Sequence, residues 1–182
     1  MKENILLQEL NLYKRKSTTR FDVPGHKGKN FSGRFTETFG KSVYEIDTNS
    51  TPMLDNLTMP TSIIKEVEDK LAKQFNVDNA KFLVNGTTIG IQAMIMSAVK
   101  EGDKIIVPSN IHKSIYNALI LSGATPIYTQ VNFDDTNCIE TTMNVDDVIH
   151  KIESEKPKAI IVINPSYYGH VNDLEKIIQV AK

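Results

Sequence analysis

Cysteine is almost missing from this sequence: Cys138 is the only one in 182 residues. A disulfide within the chain is excluded, and so are paired-thiolate metal sites of the CxxC kind. Long apolar runs are missing too. No stretch reaches the roughly 18 apolar residues that read as a membrane-spanning helix. The opening residues, MKENILLQELNLYKRK, break their short apolar stretch with charges, which is not the pattern of a signal peptide. Neither sign of charge dominates, since 21 Lys and Arg face 22 Asp and Glu for a net charge of −1. A nucleic-acid or acidic-membrane partner would favour a basic surface, so neither is expected. The phosphate-loop pattern GxxxxGK[ST] and the dinucleotide pattern GxGxxG do not occur. The expectation is a cytoplasmic chain without a metal site.

What is present is ordinary for a globular protein, 40% hydrophobic and 24% charged. The length suits one domain plus an arm, or part of a larger domain. Leu6, Leu10 and Tyr13 repeat at helical spacing and predict a first helix ending near Lys14-Arg15-Lys16, followed by the polar connector Ser17-Thr18-Thr19. Residues 21–58 have no clear period. They carry Pro24-Gly25, Gly28, Gly33, Gly40 and Pro52, and read as a long ordered loop of the kind that is usually functional or covers an interface. Regular patterning starts after Pro60. Thr61 or Ser62 can cap a helix with Ile64, Val67, Leu71 and Phe75 on its apolar side.

From there short apolar runs alternate with helical patterns. Strands are expected at residues 81–84, 105–107, 125–129 and 159–163. A buried helix is expected over residues 89–99, and another from about His112 to a Gly123 cap. A third helix, capped by Asn144, carries Val145, Val148, Ile149 and Ile152, and a last one carries Leu174, Ile177, Ile178 and Ala181. The order predicts an α/β fold: a mainly parallel sheet with helices on both faces. Residues 1–58 form an arm in this reading, and residues 59–182 the first part of a larger domain.

Three loops, each following an expected strand, carry the chemistry. In Val84-Asn85-Gly86-Thr87-Thr88-Ile89-Gly90 a strand turns at glycine into a helix that starts with two hydroxyls. Unpaired N–H groups and the positive end of the helix dipole suit a phosphate there. Taken alone, the motif equally fits Thr87 or Thr88 simply capping the helix. Asn110-Ile111-His112-Lys113-Ser114 opens the next helix on the same carboxyl edge, where parallel sheets bind ligands. His112 there is either a ring partner for a planar cofactor or a capping or surface histidine. Asn164-Pro165-Ser166-Tyr167-Tyr168-Gly169 brings polar aromatics to the same edge, or is a plain loop with packing tyrosines.

The ordered series Pro24-Gly25-His26-Lys27, Leu54-Asp55-Asn56-Leu57, Asn85-Gly86-Thr87-Thr88-x-Gly90, His112-Lys113-Ser114 and Ser166-Tyr167-Tyr168-Gly169 resembles the ornithine/lysine/arginine decarboxylase family. The resemblance runs from about Arg20 to Leu174 and matches the leading portion of a family member. It implies the aspartate-aminotransferase-like fold (fold type I) and the cofactor pyridoxal 5'-phosphate (PLP). Gly86, Thr87 and Thr88 would hold the cofactor phosphate, and His112 would stack on its ring. The implied substrate is a basic amino acid, and the implied assembly of the intact parent a homo-oligomer. The chain departs from the family at Asn49-Ser50, where Thr-Glu is common, at Thr58 and Ser62, and mildly at Ser166.

No segment resembles the family's Asp-x-Ala-His-like acid or its Ser-x-His-Lys-like cofactor lysine. No catalytic residue is therefore expected within these residues, and the chain alone is expected to be inactive. Two other readings stay open at this level. One is a fragment of a different fold-type I enzyme, an aminotransferase or lyase. The other is a non-catalytic module that pairs with another subunit.

Overall fold

The computed structural model describes residues 4–16, 19–29, 33–51 and 53–181, and divides into one unit up to Phe82 and another from Leu83. Ser17 and Thr18 of the expected connector, and Pro52 of the expected loop, lie outside the described residues.

The first unit is helical. In α1 (Ile5–Arg15) the Asn4 side chain accepts from the Leu6 and Leu7 N–H groups, and Tyr13 is its buried residue. Residues 21–58 are less irregular than expected, because α2 (Arg34–Phe39) and α3 (Ser42–Ile46) form within them. Phe35 and Phe39 sit at i and i+4 with ring centroids 5.3 Å apart, a local pairing that favours one short helix. α4 (Ile63–Phe75) forms as expected, but neither Thr61 nor Ser62 caps it through its side chain. The carboxylate of Asp55 does so, accepting from Thr61 N and Ser62 N at 2.8 Å, Ile64 N at 3.0 Å and Lys65 N at 3.3 Å. A carboxylate offers two oxygens and a full charge to the positive helix end, which a hydroxyl cannot match. The expected apolar face is only partly right. Phe75 is exposed, while Glu68 and Ala72 are the buried positions. Glu68 accepts from the Lys81 ammonium at 2.6 Å and from Phe82 N at 3.2 Å.

That contact bears on the strand expected at residues 81–84, which does not form. A strand exists only with a ladder partner, and residues 81–84 pair with none of the strands; the Phe82 N–H is taken by Glu68.

The second unit starts with α5 (Gly86–Ala98), followed by β1 (Lys104–Pro108), α6 (Lys113–Ser122) and β2 (Thr125–Thr129). The antiparallel hairpin of β3 (Val131–Asp134) and β4 (Ile139–Met143) comes next, a feature absent from the expected order. α7 (Val145–Glu155), β5 (Ala159–Ile160) and α8 (Leu174–Ala181) complete the unit. β1 lies centrally and pairs in parallel with β2 and β5, Ile106 standing opposite Ile127 and Ile160. Ladder pairing on β5 stops at Ile160, shorter than the expected run to Ile163.

The period of two along β1 sorts the core. Ile105 and Val107 face one cluster with Ile95, Ile115 and Leu119, so α5 and α6 cover that side. Ile106 faces the other cluster with Met143, Val148 and Ile177, so α7 and α8 cover the opposite side. Helices thus lie on both faces of the parallel sheet, as the element order predicts. α5, however, is not the buried helix expected. Ile95 is buried, whereas Ile89, Met94 and Met96 are exposed. A helix apolar all round buries only the side that meets a packed layer.

Candidate functional site

Loops leave the sheet in opposite directions at one point. The chain after β1 enters α6 on one face, and the chain after β5 leads to α8 on the other. Such a switch point opens a crevice beyond the carboxyl ends of the two strands, the place where parallel sheets bind ligands. A cavity of about 420 Å³ occupies it. The β1 side supplies Pro108, Asn110 and His112, and the β5 side supplies Ile163, Pro165, Ser166, Tyr167 and Tyr168. The unexpected hairpin supplies Glu140, Thr141 and Met143.

His112 is the N-cap of α6. Its Nδ1 accepts from Ser114 N at 3.2 Å and lies 2.9 Å from the Ser114 hydroxyl, and Ser114 is fully buried. The imidazole therefore caps a helix and is pinned by a buried partner while lining the cavity. Tyr167 and Tyr168 meet edge to face with centroids 5.3 Å apart, and both are exposed to solvent. Their loop is held by Ser166 N donating to His170 O at 2.8 Å and Gly169 N to Ser166 O at 2.9 Å.

Gly86, Thr87 and Thr88 form the first turn of α5 and do not line this cavity. Gly86 has φ +72°, a backbone state that suits glycine. No side chain caps α5, so neither threonine plays the capping role that its position allowed. Gly86, Thr87 and Thr88 are all exposed. Ile91, one turn further on, packs on the cluster containing Ile111 and Ile115 and joins this turn to the α6 side of the unit. Of the three expected loops, the structure gathers two around the cavity and sets the third at the head of the neighbouring helix.

Several residues of the site carried no legible signal. Asn172 is buried, accepts from Met143 N at 2.8 Å and donates to Ile163 O at 2.8 Å, tying the hairpin to the β5 loop. Its own N–H donates to the Asn164 side chain at 2.8 Å. The hairpin turn is closed by Asp134, which accepts from the Asn137 side-chain amide at 2.7 Å and from Thr136 N at 2.9 Å. Led by the Asn137 amide, these donors hold the Asp134 carboxyl below the ordinary carboxylate range. Among the described residues Glu140 is the one acid lining the cavity, and no Lys or Arg lines it. Such a wall favours a ligand with a cationic end. The nearest thing to a signal was the β-branched content of the β4 stretch, Ile139, Thr141 and Thr142.

Comparison with known proteins gives concordant results. The family described as "Orn/Lys/Arg decarboxylase, major domain" matches residues 5–182. An arginine decarboxylase of Bacillus anthracis is 36% identical over 98% of this chain, and the chain spans 37% of that relative's length. The constitutive lysine decarboxylase of E. coli superposes with a TM-score of 0.82 at 20% identity, over 99% of this chain and 28% of that one. A GDP-4-keto-6-deoxymannose-3-dehydratase holding a trapped PLP-glutamate geminal diamine superposes with a TM-score of 0.53 at 21% identity, over 64% of this chain and 30% of that one. These structural likenesses are of fold. The chain thus spans about a third of the length of the relatives it matches.

Proposed function

Since this chain belongs to the ornithine/lysine/arginine decarboxylase family, we propose that it is the leading part of the PLP-binding large domain of a decarboxylase acting on a basic amino acid. In this reading residues 1–58 are an arm, residues 59–182 open the large domain, and the intact parent is a homo-oligomer. The observation that carries the reading is the pairing of a switch-point cavity, walled by a pinned imidazole and one carboxylate, with an uncapped helix start bearing two hydroxyls.

The residues fit the cofactor. Gly86, Thr87 and Thr88 would hold its phosphate, with open N–H groups and the positive dipole end of α5 supplying the attraction. His112 would lie against the ring, its plane fixed by Ser114. Glu140 would draw the ammonium or guanidinium end of the substrate. Bound PLP supplies an electron sink for the bond that breaks when the α-carboxylate leaves as carbon dioxide. The protein's share is to hold that bond at the right angle to the ring. By themselves these residues are not expected to turn substrate over, because no segment resembles the family's cofactor lysine.

Two measurements test this. In the first, PLP is titrated into the 182-residue chain and followed by its phosphorus resonance. Changing Thr87 and Thr88 together to alanine should weaken binding by about tenfold or more, and unchanged affinity would remove the phosphate assignment. In the second, a chain extended to the length of its relatives is given arginine, lysine or ornithine. An amine and carbon dioxide are expected, whereas a 2-oxo acid would point to an aminotransferase instead.

A further inference from the structure

The first unit contains a second cavity, of about 240 Å³, whose charge is lopsided. Among the described residues four cations line it, Lys14, Lys16, Arg20 and Lys27, against a single carboxylate, Glu45. Lys14 already engages Glu45 at 2.6 Å. The carboxylate of Asp47 is engaged by the His26 imidazole at 2.9 Å. Among the described residues Arg20 and Lys27 bond only to neutral oxygens. Arg20 Nε donates to the Tyr13 hydroxyl at 2.9 Å and Nη1 to the Asp47 carbonyl at 3.2 Å, while Lys27 donates to the Asp22 carbonyl.

The guanidinium is also locked. It lies over the Tyr13 ring, 4.5 Å from the centroid, and its Nη2 is buried without a partner. A buried donor left unpaired is costly, and commonly marks the place of a water or ion. The space beside it is kept by Gly28. With φ +69° and an added Cβ only 2.6 Å from Arg20 Nη1, that position cannot carry a side chain without displacing the guanidinium. A fixed guanidinium fork, its unpaired N–H and the Lys27 ammonium bonded to a neutral carbonyl together suit a tetrahedral oxyanion.

We infer that this cavity is a binding site for a phosphate-class anion, lined by residues other than those proposed to hold the cofactor and independent of the reading given for them. A dianion answers the excess positive charge better than a monoanionic carboxylate. The test is an amide-resonance titration of the 182-residue chain with inorganic phosphate at constant ionic strength, with sodium acetate as the comparison. Phosphate should move the Gly28 amide and the Arg20 Nε–H saturably, and acetate should not. Lys27→Gln should weaken the effect about tenfold, and Arg20→Lys, which keeps the charge but loses the fork, at least as much. Lys16→Gln provides a second rim variant if Arg20→Lys does not fold. A stationary Gly28 resonance overturns the inference. So do equal responses to acetate, undiminished binding in Lys27→Gln, or movement of Gly86 in place of Gly28.

Discussion

At the scale of single residues, two polar side chains do structural work that an apolar residue could not. Asn172 bridges a donor on β4 and an acceptor beyond β5, both at the wall of the cavity. Asn172→Ala leaves a buried N–H and a C=O without partners, and should lower stability by about 2 kcal/mol, read from urea unfolding of the second unit. Asp55 gives the first unit a pH-dependent cap on α4. Burial by itself would raise its pKa, but backbone N–H donors, those of Thr61, Ser62, Asn56 and Lys65, outweigh that and hold it well below the ordinary 3.8. A carboxyl whose folded pKa is depressed stabilises above its unfolded pKa and loses that contribution as pH falls. The urea midpoint followed on α4 amides should therefore fall progressively as the pH is lowered below about 5, and should still be falling below about pH 3. In Asp55→Asn the midpoint should be lower near neutrality and the acid-side drop shallower. An unchanged acid limb in the variant would remove Asp55 as its source.

At the scale of elements, α5 shows what composition alone leaves open. Its sequence is apolar on every side, yet only the side toward Ile105 and Ile115 meets a packed layer. Ile95→Ala should therefore cost about 3 kcal/mol through the cavity it leaves. Met94→Ala, on the exposed side, should stay within about 0.5 kcal/mol. Equal losses in the two variants, measured by chemical unfolding, would show that both sides of α5 are covered in solution. The missing strand at residues 81–84 follows the same logic: a run with strand composition stays irregular where it pairs with no neighbour.

At the scale of the whole chain, the apolar positions left exposed on α5 and α6, among them Met94, Ile120 and Leu121, accompany a parallel sheet of three strands among the described residues. The chain spans about a third of its relatives' length. Local order was readable in advance. The caps at Asn144 and Gly123, the central strands and the two-faced packing rest on short-range periodicity and hydrogen bonding, which sequence spacing encodes directly. The family series was readable as well, since fixed residues in fixed order survive without coordinates. The hairpin, the Asn172 bridge, the Asp55 cap and the Glu140 wall were not readable, nor was the loss of the first strand. Each depends on which distant segments meet, and long-range contact is chosen by how whole layers pack and which edges stay open, a choice no local window of residues contains.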